Sequence, residues 1–307
     1  MIPLITIEGP TASGKSDLAL KLARELETEI ISADSRQVYR YLDICTAKPS
    51  TAEMKAVRHH LISIIEPSQS YNAGRFKSDA EEVIRDLHRQ GMVPLICGGT
   101  GLYVEALLQG LFPQIDIDPE IRQRLRERLK KEGLDILYAE LAERDPAFAE
   151  KVSSNDRQRI LRGLEVFAAT GLPISEHWRR QQAEREFTAF RILINPPREQ
   201  LYARINARTE RMLEAGLLSE ITSVLKMGFD ASSPGLNSVG CKEYLPHLLD
   251  SVSLQDCSVL AAQHTRNYAK RQCTWYRKRK FDLTLGADPC NILKTVTLIR
   301  AWQKSLH

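Results

Sequence analysis

The chain has 307 residues, of which 43% are hydrophobic, and a formal net charge of +4, values typical of a globular protein with one large or two medium domains. It contains no run of roughly 18 apolar residues and no basic N-terminal region followed by an apolar stretch, so we expect a cytoplasmic protein without a signal peptide or membrane association. Its six scattered cysteines form no C-x-x-C pair, which favours reduced thiols over disulfides or a zinc site.

The N-terminal part of the chain alternates predicted strands with predicted helices. Strands are predicted over residues 4–8, 29–33, 61–65 and 92–97, and helices over residues 16–26, 73–90 and 102–109. This alternation predicts an α/β fold with a mostly parallel sheet and helices on both faces. Each predicted strand ends in a polar or glycine-containing cluster, and ligands of such sheets bind beyond the carboxyl ends of the strands.

The segment after the first predicted strand, GPTASGKS at residues 9–16, fits the phosphate-loop pattern G-x-x-x-x-G-K-[ST]. Backbone amides of such a loop converge on phosphate oxygens at a helix N-terminus. Its lysine reaches the outer phosphate, and its last hydroxyl ligates Mg²⁺. The predicted diphosphate-binding residues are Gly9, Thr11, Ala12, Ser13, Gly14, Lys15 and Ser16, and Ser16 is also the predicted magnesium ligand. A phosphorylated or diphosphorylated ligand follows, but the loop alone does not identify it.

Two other strand ends carry candidate site residues. Asp34 closes the second predicted strand, where its carboxylate could bind Mg²⁺ through water, accept a proton from a nucleophile, or only initiate a turn. The neighbouring Gln37 favours a functional role. In the run GGTG at residues 98–101, glycines allow close approach of amides to an anion, and Thr100 could bind a phosphate oxygen. The alternative is a flexible strand-to-helix turn.

One negative observation bears on the class of enzyme. Phosphate-loop nucleotide hydrolases usually hold Mg²⁺ with an acidic residue at the end of an apolar strand. Here the apolar segment VPLICGG at residues 93–99 ends in glycines, and only Glu66 could fill that part. This weakens the interpretation as a motor or switch ATPase and fits a loop that holds a diphosphate leaving group.

A helical segment interrupts the α/β pattern. Residues 116–189 are predicted to form an all-helical insertion domain, while residues 1–115 and 190–307 form the catalytic core. Two Asp-Pro pairs inside the insertion are typical helix starts, and a further helix is predicted from about residue 156 to 170. A strand over residues 190–194 is expected to return the chain to the sheet.

Three basic surfaces accompany the predicted phosphate site. The run HTRNYAKRQCTWYRKRK at residues 264–280 interleaves basic and aromatic residues, and the first insertion helix and DRQRILR at 156–162 supply the others. Basic charge contacts phosphate backbones and aromatic rings stack on unpaired bases, so an RNA ligand is favoured. The alternative is a solvated basic helix whose aromatic side chains face the core. On a predicted helix over 202–213, spacing alone does not decide which arginine faces an anion.

Taken together and in order, these segments resemble the tRNA dimethylallyltransferase family, also called the tRNA isopentenyltransferase family. The matching segments are GPTASGKS (9–16), DSRQVYRYLDICTAKP (34–49), GGTGLY (98–103), NDRQRILRGLEV (155–166), LYARINARTERMLEAGL (201–217), SVGCKEY (238–244) and TRNYAKRQCTWYRK (265–278). Cys45 and Cys241 depart from the pattern, because the family usually has glycine and tyrosine at these positions. The resemblance implies a P-loop core like that of nucleotide kinases, with a helical insertion that closes over RNA.

The resemblance also implies a reaction. The family transfers a dimethylallyl group from dimethylallyl diphosphate to N6 of adenosine 37 in the anticodon stem-loop of tRNA, with Mg²⁺ and mostly as a monomer. Asp34 matches the aspartate that takes the N6 proton, and Thr100 and Arg208 match residues that stabilise the diphosphate. The implied tRNA contacts are Asp34, Ser35, Arg36, Gln37, Thr100, Arg122, Gln158, Arg159, Ile160, Leu161, Arg162, Lys242, Arg271 and Lys278.

Two other hypotheses are kept beside the prenyl transfer. A small-molecule or nucleotide kinase would consume ATP without RNA, and the missing acidic strand end counts against it. A non-catalytic RNA-binding module would carry a vestigial loop, and the intact Lys15, Ser16 and Asp34 count against that.

Overall fold

The computed structural model describes residues 1–110, 115, 117–180, 186–286 and 291–306, which form two compact units. The core unit comprises Met1–Gln109 and Arg185–His307, and the helical unit comprises Gly110–Glu184. The predicted domain boundary at residue 116 and the predicted thiol of Cys290 lie outside the described residues. The free thiols are those of Cys45, Cys97, Cys241, Cys257 and Cys273.

A six-stranded sheet forms the centre of the core unit. Its strands are β1 (Ile2–Glu8), β2 (Ile30–Ser32), β3 (His59–His60), β4 (Leu95–Gly98), β5 (Phe187–Ile194) and β6 (Leu283–Leu285), in the order β3-β2-β4-β1-β5-β6. Every pair of these neighbouring strands is parallel, which confirms the predicted α/β fold. β1 lies between β4 and β5, so the loop that follows it opens at the middle of the sheet edge.

The predicted strand over residues 61–65 is wrong. β3 ends at His60, and Ile65 forms only an isolated bridge with Tyr39. Leu61 and Ser63 have φ angles of 60° and 54°, which a continuous strand does not allow. Leu61 and Ile65 are buried although the segment is not an extended strand. β5 begins at Phe187, earlier than the predicted start at residue 190.

Helices cover both faces of the sheet and continue beyond it. In chain order they are α1 (Lys15–Glu25), α2 (Thr51–Ala56), α3 (Ala73–Arg89), α4 (Gly101–Gln109), α5 (Pro119–Glu132), α6 (Leu134–Arg144), α7 (Pro146–Ala149), α8 (Arg157–Thr170), α9 (Ile174–Arg180), α10 (Arg198–Glu214), α11 (Leu217–Lys226), α12 (Leu245–Asp250), α13 (Leu254–Tyr276) and α14 (Ile292–Lys304). Within the described ranges, none of them has both the length and the apolar composition that a membrane span needs.

Two apolar layers hold the sheet between helices. On one face, Leu18 and Leu22 of α1 pack with Ile299 of α14 against the strands. On the other face, Phe76 of α3 and Val104 of α4 pack against the opposite sides of the same strands. Each of these five side chains is at most 4% exposed, so burial of apolar surface fixes where α1 starts relative to the sheet edge.

The helical unit has its own hydrophobic core, formed by α5 to α9. Helices α5 and α7 begin where aspartates accept backbone N–H groups. Asp118 accepts from Glu120 at 2.9 Å, and Asp145 accepts from Phe148 at 3.0 Å. The two predicted Asp-Pro starts are therefore confirmed.

Candidate functional site

The phosphate loop runs from the end of β1 to the head of α1. Gly14 precedes α1 with a φ of 95°, a left-handed conformation that favours glycine. At Gly9 a Cβ would lie only 2.5 Å from the carbonyl oxygen of Ile194. The amides of Lys15 and Ser16 lie in the first turn of α1, where backbone N–H groups have no acceptor within the helix. The head of α1 is therefore a site for an anion.

Two amides of the loop are used inside the protein. The N–H of Thr11 donates to Oε1 of Gln272 at 2.8 Å, and the N–H of Ser13 donates to the carbonyl oxygen of Pro10 at 3.2 Å. The amides at the head of α1 are left as donors for an anion. Thr11 and Ala12 still line the cavity described next.

A cavity of about 480 Å³ opens over the head of α1. Lys15, Ser16 and Asp34 line it together with three arginines of α10, namely Arg204, Arg208 and Arg211. Burial lowers the pKa of the Lys15 amine, and the nearby Asp34 carboxylate opposes that effect. Burial likewise lowers the pKa of the Arg208 guanidinium, again opposed by Asp34. Several cationic side chains therefore line one cavity, which makes it suited to bind a multiply charged anion.

The three arginines of α10 have different roles. Nη1 of Arg204 donates to the carbonyl oxygen of Ser13 at 3.1 Å, so it braces the phosphate loop. Nε of Arg211 donates to Ala207 of its own helix at 3.2 Å. The Arg208 guanidinium forms no hydrogen bond with the described part of the chain. The N–H donors of Arg208 are therefore available to a ligand. Helical spacing alone did not show which arginine has this role.

Asp34 and Thr100 are linked because Thr100 hydrogen-bonds to the backbone of the residues on either side of Asp34. Oδ1 of Asp34 accepts the N–H of Arg36 at 2.8 Å, so the carboxylate does stabilise a turn. No described residue hydrogen-bonds to Oδ2, which leaves that oxygen for a ligand. Oγ1 of Thr100 accepts the N–H of Ser35 at 3.0 Å, and the N–H of Thr100 donates to Ala33 at 3.2 Å. The two side chains are thus held at neighbouring strand ends.

A second cavity of about 220 Å³ adjoins the first, and Lys15, Asp34 and Arg208 line both. Its other walls include Met212 and Tyr268, so it is partly apolar. Burial raises the pKa of Tyr268 to about 12, and Asp34 adds to the rise. The phenol is therefore neutral at physiological pH. Asp34 lies where an anion site meets a pocket with an aromatic wall.

Much of the segment over residues 34–49 supports the site structurally. Lys48, with a side chain 3% exposed, donates to the Tyr39 carbonyl at 2.6 Å, to Asp43 at 2.6 Å and to Ser63 at 2.7 Å. Gln37 accepts from Ser32 at 2.9 Å and donates to Ala47 at 3.1 Å. The Gln37 amide, an implied tRNA contact, is therefore already engaged within the protein.

Sequence reasoning missed the role of Glu220 on α11. Its two carboxylate oxygens accept the N–H groups of Asp43, Ile44 and Cys45 at 2.7, 2.7 and 2.9 Å. The following residues, Thr46 and Ala47, line both cavities. Glu220 thus fixes a loop at the site from far along the chain, and no local pattern at Glu220 signals this.

Comparisons with known proteins agree with this geometry. The IPP transferase family model matches residues 37–279. The chain belongs to this family. It is similar to the tRNA dimethylallyltransferases of Syntrophobacter fumaroxidans (42% identity, covering 90% of this chain and 81% of the relative) and of Roseiflexus sp. strain RS-1 (40%, covering 98% and 99%).

Two solved structures are also similar to this chain. One is a tRNA delta(2)-isopentenylpyrophosphate transferase from Staphylococcus epidermidis, with 35% identity, a TM-score of 0.71 and full coverage of both chains. The other is a eukaryotic dimethylallyltransferase described as acting on tRNA, with 31% identity, a TM-score of 0.78, and coverage of 98% of this chain and 78% of the other. The predicted resemblance is confirmed, and with it the assignment of the chain as a prenyltransferase.

Three of the remaining implied tRNA contacts of the core unit lie at the second cavity. Ser35, Arg36 and Arg271 line that cavity. Nη1 of Arg36 donates to the carbonyl oxygen of Pro234 at 3.1 Å, and the guanidinium of Arg271 lies 5.7 Å from the centre of the Tyr268 ring. Elsewhere in the unit, Lys242 is half-buried and Lys278 is exposed.

In the helical unit the implied tRNA contacts divide into exposed and buried residues. Arg122, Gln158 and Arg159 are exposed. Ile160 is fully buried in the core of this unit, and Leu161 packs against that core, so their side chains have a packing role instead. Arg162 is half-buried, with its guanidinium 3.7 Å from Glu165.

The basic-aromatic run at residues 264–280 differs from the prediction. Tyr276 is 3% exposed, and Trp275 packs against Gly101, where a Cβ would lie 2.2 Å from the indole nitrogen. These two rings face the interior and are not free to stack on bases, so the alternative interpretation is correct for them. Tyr268 is the aromatic residue of the run that lines a cavity.

Arg279 also belongs to the interior. Its Nε lies 3.1 Å from Glu105, which in turn lies 3.1 Å from Arg191. Arg191 makes two bonds, at 2.9 and 3.0 Å, to the fully buried carboxylate of Glu8 at the end of β1. Burial raises the pKa of Glu8, and Arg191 opposes that rise. This ion-pair network fixes the end of β1 just before the phosphate loop.

Acidic residues suited to hold a metal are sparse around the site. Glu66, the one candidate in the sequence, makes an ion pair with Arg40 at 3.0 Å and does not line the two cavities at Asp34. Among the residues that the structure describes, no cluster of three His, Cys, Asp or Glu side chains could hold a metal ion. Ser16, Asp17 and Asp34 are among the oxygen donors that line the first cavity, and Asp17 makes an ion pair with Lys21 at 2.8 Å.

Proposed function

We propose that this protein transfers the dimethylallyl group from dimethylallyl diphosphate to N6 of adenosine 37 in tRNA, giving N6-(dimethylallyl)adenosine and diphosphate. The observation that carries the proposal is the position of Asp34, which lines both the cationic cavity and the partly apolar one. The names of the relatives, tRNA dimethylallyltransferases, support the two substrates.

The cationic cavity suits the diphosphate leaving group. As the allylic C1–O bond breaks, its electron pair goes to the diphosphate, and negative charge grows on the oxygens. The amides of Lys15 and Ser16, the Lys15 amine, the Thr100 hydroxyl and the Arg208 guanidinium would stabilise that charge. Burial disfavours the charged form of Lys15 in the free protein, so an anion beside it relieves the cost of protonation.

The adenine amine requires a base because its lone pair is delocalised into the ring. Oδ2 of Asp34 would accept the N6–H hydrogen bond, while Oδ1 stays fixed by the Arg36 amide. The N6–C1 bond forms, and the N6 proton passes to the Asp34 carboxylate. The adenosine must leave its base stack to reach this site, which costs a few kcal/mol and least in a single-stranded loop.

Magnesium fits the donors of this site only together with the diphosphate. Mg²⁺ retains several waters and binds through one or two protein oxygens and substrate phosphates. The Ser16 hydroxyl at the head of α1 and, through water, Asp34 would hold it. Once bound it would neutralise charge on the diphosphate oxygens.

The proposal extends to the RNA surface and to the state of the protein. The exposed cations Arg122, Arg159, Arg271 and Lys278 would contact phosphates of the anticodon stem-loop, with Gln158 beside them. The protein would act as a monomer, which sedimentation equilibrium tests.

A single assay tests the proposal. The protein is incubated with Mg²⁺, dimethylallyl diphosphate and undermodified tRNA, and both diphosphate release and the mass of the digested nucleosides are measured. Release coupled to an adenosine heavier by one dimethylallyl group supports the proposal. ATP turnover without tRNA would instead indicate a kinase, and tight tRNA binding without chemistry would indicate a binding module.

A further inference from the structure

Gln272 on α13 joins the phosphate loop to the loop that carries Thr100. Its Oε1 accepts the N–H of Thr11 at 2.8 Å, and its Nε2 donates to the carbonyl oxygen of Gly99 at 2.8 Å. Gln272 is 7% exposed; its hydrogen bond to Gly99 is buried and the one to Thr11 is partly buried. One side chain therefore spans two segments that surround the proposed diphosphate.

The two loops lie close together at this point, with the Gln272 amide packed against Gly99. A Cβ on Gly99 would lie 2.6 Å from Nε2 of Gln272, 3.4 Å from the carbonyl oxygen of Gly9 and 3.5 Å from Nζ of Lys15. A side chain at position 99 would therefore displace the Gln272 amide from its two hydrogen bonds. The amide of Gln272 thus sets the separation of the loops by direct contact.

The contact extends to the proposed base. Gly99 is followed by Thr100, whose Oγ1 accepts the N–H of Ser35 at 3.0 Å, and Ser35 follows Asp34. A displacement of Gly99 would therefore move Thr100 and, through Ser35, Asp34. The amides of Lys15 and Ser16 are fixed independently, by the start of α1.

We propose that Gln272 is a positioning residue for prenyl transfer, which sets the distance between the anion site at the head of α1 and the pair Thr100 and Asp34. The inference rests on the proposed function. Because Gln272 acts through Thr11 and Gly99, its loss should lower turnover and leave diphosphate affinity nearly unchanged.

The test compares Gln272→Met with Gln263→Met, the same change at an exposed position of the same helix. Methionine keeps the length and helix propensity of glutamine but removes both hydrogen bonds. We expect kcat of Gln272→Met to fall about 10- to 100-fold, because small misplacements of reacting groups cost rates of this order. Affinity for inorganic pyrophosphate should stay within about threefold, and Gln263→Met should match the wild type in both.

A readout besides activity separates the two proposals. In Gln272→Met the Thr11 amide loses its acceptor, so its hydrogen exchange should become faster than in the wild type and in Gln263→Met. Unchanged kcat, or equal losses in kcat and pyrophosphate affinity, would overturn the positioning role. A wild type without prenyl transfer would refute the proposed function, while exchange at Thr11 would still report on the contact. If Gln272→Met folds poorly, Gln272→Asn, too short to reach both loops, should show the same split.

Discussion

Arg279 and Lys278 are neighbours in the basic run, yet the structure gives them opposite roles. Nε of Arg279 bonds to Glu105 at 3.1 Å, Nη1 donates to the Trp275 carbonyl at 2.6 Å, and the guanidinium lies 3.5 Å from the centre of the Trp275 ring. The Arg279 side chain is 21% exposed, whereas Lys278 is exposed. We therefore expect Arg279→Met to reduce stability and Lys278→Met to reduce tRNA binding.

The loss of stability expected for Arg279→Met follows from the three contacts of the Arg279 side chain. A hydrogen bond between charged groups contributes about 1.5–3 kcal/mol, and a cation–π contact about 1 kcal/mol. Glu105 keeps Arg191 at 3.1 Å, so it is not left unpaired, and the loss lies towards the lower end. We expect the free energy of unfolding to fall by about 2–4 kcal/mol, which lowers Tm by about 5–15 °C for a unit of this size.

Thermal unfolding and salt-dependent tRNA binding together test this pair. Lys278→Met should leave Tm unchanged within error and reduce the slope of log K against log salt by about one. Arg279→Met should keep the wild-type slope at temperatures where it is folded. An Arg279→Met protein as stable as the wild type, with a shallower salt slope, would refute the assignment of Arg279 to the interior.

Three further changes have distinct expected outcomes. Asp34→Asn should lower kcat by about 10²- to 10⁴-fold because it removes the base, while tRNA affinity from filter binding stays nearly constant; a large affinity loss would make Asp34 a binding residue. Glu220→Ala leaves three backbone N–H groups without their acceptor, so hydrogen exchange at residues 43–45 should accelerate and kcat should fall; unchanged exchange would contradict the contact. Pyrophosphate should bind to protonated Lys15, whose pKa burial lowers from the ordinary 10.5, so calorimetric affinity should weaken as pH rises through that lowered pKa, and constant affinity up to the ordinary value would argue against it.

Local patterns predicted the parts of the fold that depend on neighbouring residues. The segment GPTASGKS leads from β1 into the first turn of α1, as the spacing of its glycines and its lysine predicts. The predicted strand at 61–65 was wrong because the path of this segment depends on tertiary packing and not on neighbouring residues. Leu61 and Ile65 are buried in an irregular path with positive φ angles, and composition does not distinguish such a path from a short strand.

The orientation of each helix about its own axis determines which of its side chains face the site. Arg204, Arg208 and Arg211 share one helix, and only its packing shows that Arg204 braces the loop while Arg208 keeps its donors for a ligand. In the same way α13 directs Tyr268 towards a cavity, while Trp275 is packed against Gly101.

The sequence by itself determined the family, the parallel α/β sheet and the phosphate loop, because these depend on residue types at short, fixed spacings. Only the tertiary structure identified the contacts that hold the site together, such as Gln272 with Thr11 and Glu220 with residues 43–45. These pairs lie 261 and 177 residues apart at Thr11 and Asp43. A hydrogen bond over such a separation depends on how the whole core packs, and nothing in the local sequence records it.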